Sequence, residues 1–98
     1  MADVTIIYWR DIPAQVMVGK GRRAAKVQLS ERFEQAIDRA AMKVGASDSD
    51  AYLADWRRET APGGDGTPDE LARRMAERLE AEYDSARLRA LIDNNGRA

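Results

Sequence analysis

The chain has 98 residues, with 16 Lys plus Arg against 17 Asp plus Glu and a formal net charge of -1 at pH 7. That length makes one small domain, and the near-neutral balance does not call for a polyanionic partner. Neither cysteine nor histidine occurs, which excludes disulfides, thiolate nucleophiles and Cys/His metal sites. It also removes the side chains most used for proton transfer at neutral pH.

The N-terminus carries Asp3 and no basic region ahead of an apolar stretch, unlike a signal peptide. No apolar run nears the roughly 18 residues that cross a bilayer. A cytoplasmic protein with no membrane association is therefore expected. The first of its elements, Asp3 to Asp11, holds Val4, Thr5, Ile6, Ile7, Tyr8 and Trp9 in succession. This is a β-branched and aromatic strand with apolar groups on both faces, which suits a central place in a sheet. Asp11-Ile12-Pro13-Ala14 reads as a turn, because proline lacks the amide hydrogen of a sheet ladder. Gln15 to Lys20 alternates as a second, antiparallel strand that ends at Gly19-Lys20-Gly21-Arg22-Arg23; Ala24 to Leu29 fits either a strand or a loop.

Ser30 is placed as an N-cap, and Phe33, Ile37, Ala40, Ala41 and Val44 then share one helical face up to Gly45, a residue suited to a left-handed C-cap. Ser47 to Asp50 starts a short helical turn carrying Tyr52 and Leu53, and Trp56 to Thr60 is a candidate third strand. After the loop Pro62 to Gly66, Thr67-Pro68-Asp69-Glu70 forms a capping box. The helix it opens carries Leu71, Met75, Leu79 and Tyr83 at four-residue steps. Asp84-Ser85 offers a restart or a kink, after which Leu88, Leu91 and Ile92 give one more apolar stripe. The expected fold is α+β: a small antiparallel sheet of two to three strands with two or three helices packed on one face, forming a single domain over residues 1–98.

No catalytic or metal-binding motif emerges. Gly19-Lys20-Gly21 lacks the spacing and the closing hydroxyl of a phosphate loop. Asp48, Asp50 and Asp55 lack the pattern of a calcium loop, and Asp48 and Asp50 read as helix caps. Glu70, Glu77, Glu80 and Glu82 interleave with Arg73, Arg74 and Arg78 as the ion-pair lacing of an exposed helix. Lys20, Arg22, Arg23 and Lys26 form a basic cluster that suits either anion contacts or a solvated strand edge. Nucleic acid is not the expected partner. The most distinctive stretch is Tyr8-Trp9-Arg10-Asp11, which together with Trp56 and Arg57 supplies the aromatic and arginine side chains typical of interface hot spots. Trp9 and Trp56 suit the core equally well.

Three blocks carry a family resemblance: TIIYWRDIPAQV (Thr5 to Val16), LSERFEQAIDRAAMKVG (Leu29 to Gly45) and DAYLADWRR (Asp50 to Arg58). In order and spacing they resemble the small bacterial virulence factor domain family, over about residues 4–60 and with the acidic C-terminal helix outside. A similar domain closes the staphylococcal conserved virulence factor C, behind HEAT-type repeats and a scaffold-like iron–sulfur assembly domain. The resemblance implies no catalytic residue, no cofactor and no toxin activity. It suggests an accessory role near folate and corrinoid enzymes of one-carbon metabolism. The expected function is a non-enzymatic module whose sheet edge and Tyr8 to Pro13 segment dock a protein partner, with pairing to a second copy also open to such an edge. The alternative is a small anionic-ligand or enzymatic site built from Tyr8, Arg10 and Asp11.

Overall fold

The computed structural model describes residues 3–19, 24–45 and 49–98. Four strands, β1 (Asp3–Trp9), β2 (Ile12–Val18), β3 (Ala25–Gln28) and β4 (Trp56–Pro62), form one antiparallel sheet in the order β3-β2-β1-β4. Four helices accompany them: α1 (Glu31–Lys43), α2 (Ser49–Ala54), α3 (Pro68–Glu82) and α4 (Ser85–Asp93). The architecture is α+β, and β1 is central as its two apolar faces predict. The sheet has four strands rather than two or three, because both undecided segments pair. β3 sets Ala25 against Val18 and Val27 against Val16, and β4 runs antiparallel to β1 along its whole length.

The first hairpin also differs from expectation. Its turn is Arg10-Asp11, and Pro13 lies inside β2, opposite Tyr8. The ladder explains why this proline is tolerated. Gly19 N–H donates to the Asp3 carbonyl at 3.2 Å, so the odd-numbered residues of β1 bond to β2 and Tyr8 turns its backbone toward β4. Pro13 therefore owes β1 no hydrogen bond, and β3 has ended opposite Gln15, so no ladder bond is lost on that side either. A register shift between Ile7 and Tyr8 leaves Ala14 as the extra residue of a bulge.

Cross-strand partners fix the two faces of the sheet. Val4 and Ile6 share one face with Val18 and Val16, while Thr5 and Ile7 share the other with Met17 and Gln15. α3 packs on β2 and β3, and its Leu71 and Met75 lie close to Val4, so the first face is the covered one. Val16, Val18 and Phe33 are fully buried in that core. α3 starts as its capping box predicts: Thr67 Oγ1 accepts from Glu70 N–H at 3.2 Å, with Pro68 in the first turn. Its buried face is Leu71, Ala72, Ala76 and Leu79. Met75 and Tyr83 are half-buried. Ser30 occupies the N-cap of α1 without capping it. Its hydroxyl and N–H instead donate to the two carboxylate oxygens of Glu80, at 2.8 and 2.7 Å, and tie α1 to α3.

Among the described residues no helix is long and apolar enough to cross a membrane. Phe33 has no exposed surface and meets Tyr83 at a 6.1 Å ring separation. Phe33→Ala is expected to lower unfolding stability by about 3–5 kcal/mol through the cavity it leaves. Met42→Ala, at a side chain that is 65% exposed, is expected to change it by less than about 0.5 kcal/mol. Urea unfolding of the two variants checks both.

Candidate functional site

The residues singled out in the sequence converge on the end of the sheet where β1 turns into β2 and β4 begins. Trp9 is the anchor. It is fully buried, donates its indole N–H to the Tyr52 carbonyl at 3.0 Å, and stacks on the Tyr52 ring at 6.0 Å. Trp9 is therefore a core residue and presents no surface to a partner. Ile12 and Pro13 are buried too, so the Tyr8 to Pro13 segment offers a partner only Tyr8, Arg10 and Asp11. Trp56 is half-buried and meets Tyr52 edge to face at 5.7 Å.

The charged members of the group are engaged with one another. Arg10 sits in the left-handed region at φ 54, a costly conformation for a residue with a Cβ. Its surroundings offset that cost: its N–H reaches the Asp55 carbonyl at 3.0 Å, Nε reaches Asp55 Oδ2 at 3.1 Å, and Nη1 reaches the Asn95 carbonyl at 2.7 Å. Arg57 lies over the Tyr8 ring at 4.4 Å. It donates to the Arg10 carbonyl at 2.8 Å and to Asp11 Oδ1 at 3.0 Å, and it pairs with Glu59. Burial disfavours the Arg57 charge, yet Glu59 and Asp11 outweigh that effect and hold its pKa above the usual value. Asp11 accepts the Ala98 N–H at 2.7 Å, and its own N–H donates to the Gly96 carbonyl at 2.8 Å. Arg10 and Asp11 thus form a latch on residues 95–98, braced by Arg57, which lies on Tyr8. None of these four side chains lines any of the cavities described below.

Of the basic cluster, Lys20, Arg22 and Arg23 lie outside the described residues, and Lys26 is exposed on β3 opposite Met17. Among the described residues no group of three or more acidic side chains is placed to hold a metal ion.

Two features of the surface were not marked in the sequence. The first is the outer edge of β4. The Arg10 N–H to Asp55 carbonyl bond sets the phase of the β1–β4 ladder, in agreement with the β1–β2 phase: Arg57, Glu59 and Ala61 turn their backbone groups to β1. Trp56, Arg58 and Thr60 consequently turn theirs outward at the sheet edge. Arg58 is exposed and makes no ion pair with a described residue. The second is a pair of cavities. One, of about 520 Å³, runs between α1 and α4 past Arg32, Arg39 and Arg89. The other, of about 260 Å³, lies between α1, α2 and the open face of the sheet. Strand register and the packing of α1 together assemble the polar lining of the second, so no local motif announces it.

The latch has an acid dependence. The Ala98 N–H, the largest influence, and the Arg57 guanidinium together outweigh burial and hold the Asp11 carboxyl below its ordinary pKa. Glu80 is likewise lowered: burial opposes, but the bonds from Ser30 and Arg32 prevail. Carboxyls lowered on folding contribute stability above their unfolded pKa, and that contribution fades as pH falls through about 4 toward the folded values. Asp11→Asn is expected to flatten this acid limb, leaving the part due to Glu80, and to speed amide exchange at Ala98. Unfolding midpoints from pH 7 to pH 2.5, with hydrogen exchange on the tail, measure both effects.

The sequence profile of the virulence factor family matches residues 7–92. The match runs through α3 and most of α4, farther than the three sequence blocks reach, so the C-terminal helices belong to the family's domain. No curated protein and no solved structure shows a significant match. With the profile spanning nearly the whole chain, from the middle of β1 into α4, this protein is a member of the virulence factor family.

Proposed function

We propose that the chain is a non-enzymatic interaction module that takes an extended, acidic segment of a partner protein as a fifth strand on β4. The observation that carries this reading is the free outer edge of β4, seven residues long and exposed over most of its length. Addition of a strand to such an edge draws affinity from main-chain hydrogen bonds and specificity from the side chains opposite.

Charge selects the occupant. Pairing β4 with a second copy over its full length sets Glu59 opposite Glu59. Shifting by one pair sets Arg58 opposite Arg58, or sets Pro62, which has no N–H, opposite Arg58. Every self-pairing register therefore meets a like charge or loses a ladder bond. A foreign strand with Glu or Asp opposite Arg58 meets neither obstacle, and it gives that arginine the counter-charge it lacks within the described chain. Partners among one-carbon enzymes, suggested by the family resemblance, are the first to screen for such a segment.

The test is an NMR titration of the labelled protein with two extended six-residue peptides that differ only in a central Glu or Lys. The expected result is that the Glu peptide shifts and protects the amides of Trp56, Arg58 and Thr60 and binds about tenfold more tightly than the Lys peptide. Thr60→Pro is expected to abolish the response, because it removes an outward N–H without breaking the β1 ladder. Equal binding of the two peptides, or a response that survives in Thr60→Pro, rejects the proposal.

A further inference from the structure

The open face of the sheet is closed at one end by α1 and α2, and the cavity of about 260 Å³ lies in that corner. Its composition is selective. Ile7, Ile37, Tyr52 and Trp56 give it apolar walls, the last two set edge to face with planes at 85°. Its polar lining consists of Gln15, Gln28 and Glu34. Gln15 and Gln28 are direct cross-strand partners in the row that continues through Ile7, which is why two amides distant in sequence open into one space. Glu34 enters from α1.

Among the described residues no basic side chain lines this cavity, nor the adjoining depression where Glu31, Glu34 and Asp38 face Tyr52. Glu34 makes no ion pair with a described residue. Burial, and after it the nearness of Asp38 and Glu34, raises the pKa of the Tyr52 hydroxyl. The site therefore combines aromatic walls with carbonyl and carboxylate acceptors, and Arg58, the cross-strand partner of Ile7, is a neighbouring cation outside its lining.

From this combination we infer that the cavity between α1, α2 and the open sheet face binds the guanidinium group of a small organic cation. A guanidinium is planar, carries five N–H donors and no acceptor, and is weakly hydrated, so it loses little on leaving water for an aromatic wall. The two glutamine carbonyls and the Glu34 carboxylate accept its hydrogens, and the rings of Tyr52 and Trp56 favour its charge. An ammonium is held less well, since its stronger hydration resists transfer to those walls. A carboxylate or phosphate ligand is repelled by Glu34. This site shares Trp56 with β4 but uses the ring of that residue and not its outward backbone groups, so it does not depend on strand addition there.

N-acetyl-arginine amide is the probe, with the citrulline analogue as its uncharged near-isostere, titrated into labelled protein and followed by NMR. The arginine compound is expected to give saturable shifts at Ile7, Gln15, Gln28 and the Trp56 indole. The citrulline compound, and the arginine compound against Glu34→Gln, are each expected to bind about tenfold more weakly. Glu34 is exposed, so Glu34→Gln keeps the fold, and Gln28→Ala gives a second variant that weakens binding without changing charge. Thr60→Pro, which blocks strand addition on β4 at a residue outside the cavity lining, is expected to leave this binding intact. Three results overturn the inference: equal affinity for the citrulline analogue, shifts that map elsewhere, or no saturation up to about 10 mM.

Discussion

Trp9 needs cover on all sides, and much of the molecule is arranged to give it. It stands at the end of the central strand, where sheet neighbours alone leave a large ring exposed. Tyr52 stacks on one side and takes the indole hydrogen, and the Arg10 guanidinium lies 5.0 Å from the ring centre. Gly96 closes in so tightly that a Cβ there would sit 3.1 Å from a Trp9 ring carbon, and its φ of 83 suits glycine alone. One aromatic side chain thus fixes the place of α2, the form of the hairpin turn and the path of the tail.

The charges around this end follow from that arrangement. With the tail drawn against Trp9, backbone carbonyls at Asn95 and Gly96 and the N–H of Ala98 come within reach of the Arg10-Asp11 turn. Partly exposed ion pairs contribute little singly, about 0–1 kcal/mol. Here each arginine also bonds a backbone carbonyl, and Arg57 joins β4 to the turn through Asp11 and the Arg10 carbonyl. The gain is geometric, holding Arg10 at positive φ and the tail in place. A cluster of Tyr, Trp and Arg that in sequence looks like an interface is, in the fold, the means by which the chain closes on itself.

What remains free lies elsewhere. A short sheet has two edges, and this one protects them unequally. β3 has only four residues, whereas β4 runs the length of β1. In the proposed reading, Arg58, Glu59 and Pro62 guard β4 against its own copy while leaving it open to a strand of complementary charge. The open face contributes differently, because its polar groups line a corner walled by aromatic rings. Both features depend on the antiparallel register, which decides which backbone groups turn outward and which side chains share a row.

Local chemistry written in the residues themselves was legible before folding. The buried face of α1, the Thr67 capping box, the Asp84-Ser85 restart and the central place of β1 all follow from spacing and side-chain type over a few residues, which a sequence displays directly. The four-strand count was not legible, because β3 is four residues long and acquires strand character only by lying against Val16 and Val18. Nor was the role of Tyr8, Trp9, Arg10, Asp11 and Arg57, since an aromatic or arginine has the same local signature in a core, a latch or an interface. The meeting of Gln15, Gln28 and Glu34 had no local signal at all. The sequence by itself determined the main helices, the central strand and the membership of the family. Only the tertiary structure decided which charges are already satisfied within the chain and which still face solvent, because satisfaction is a matter of partners brought together across the fold.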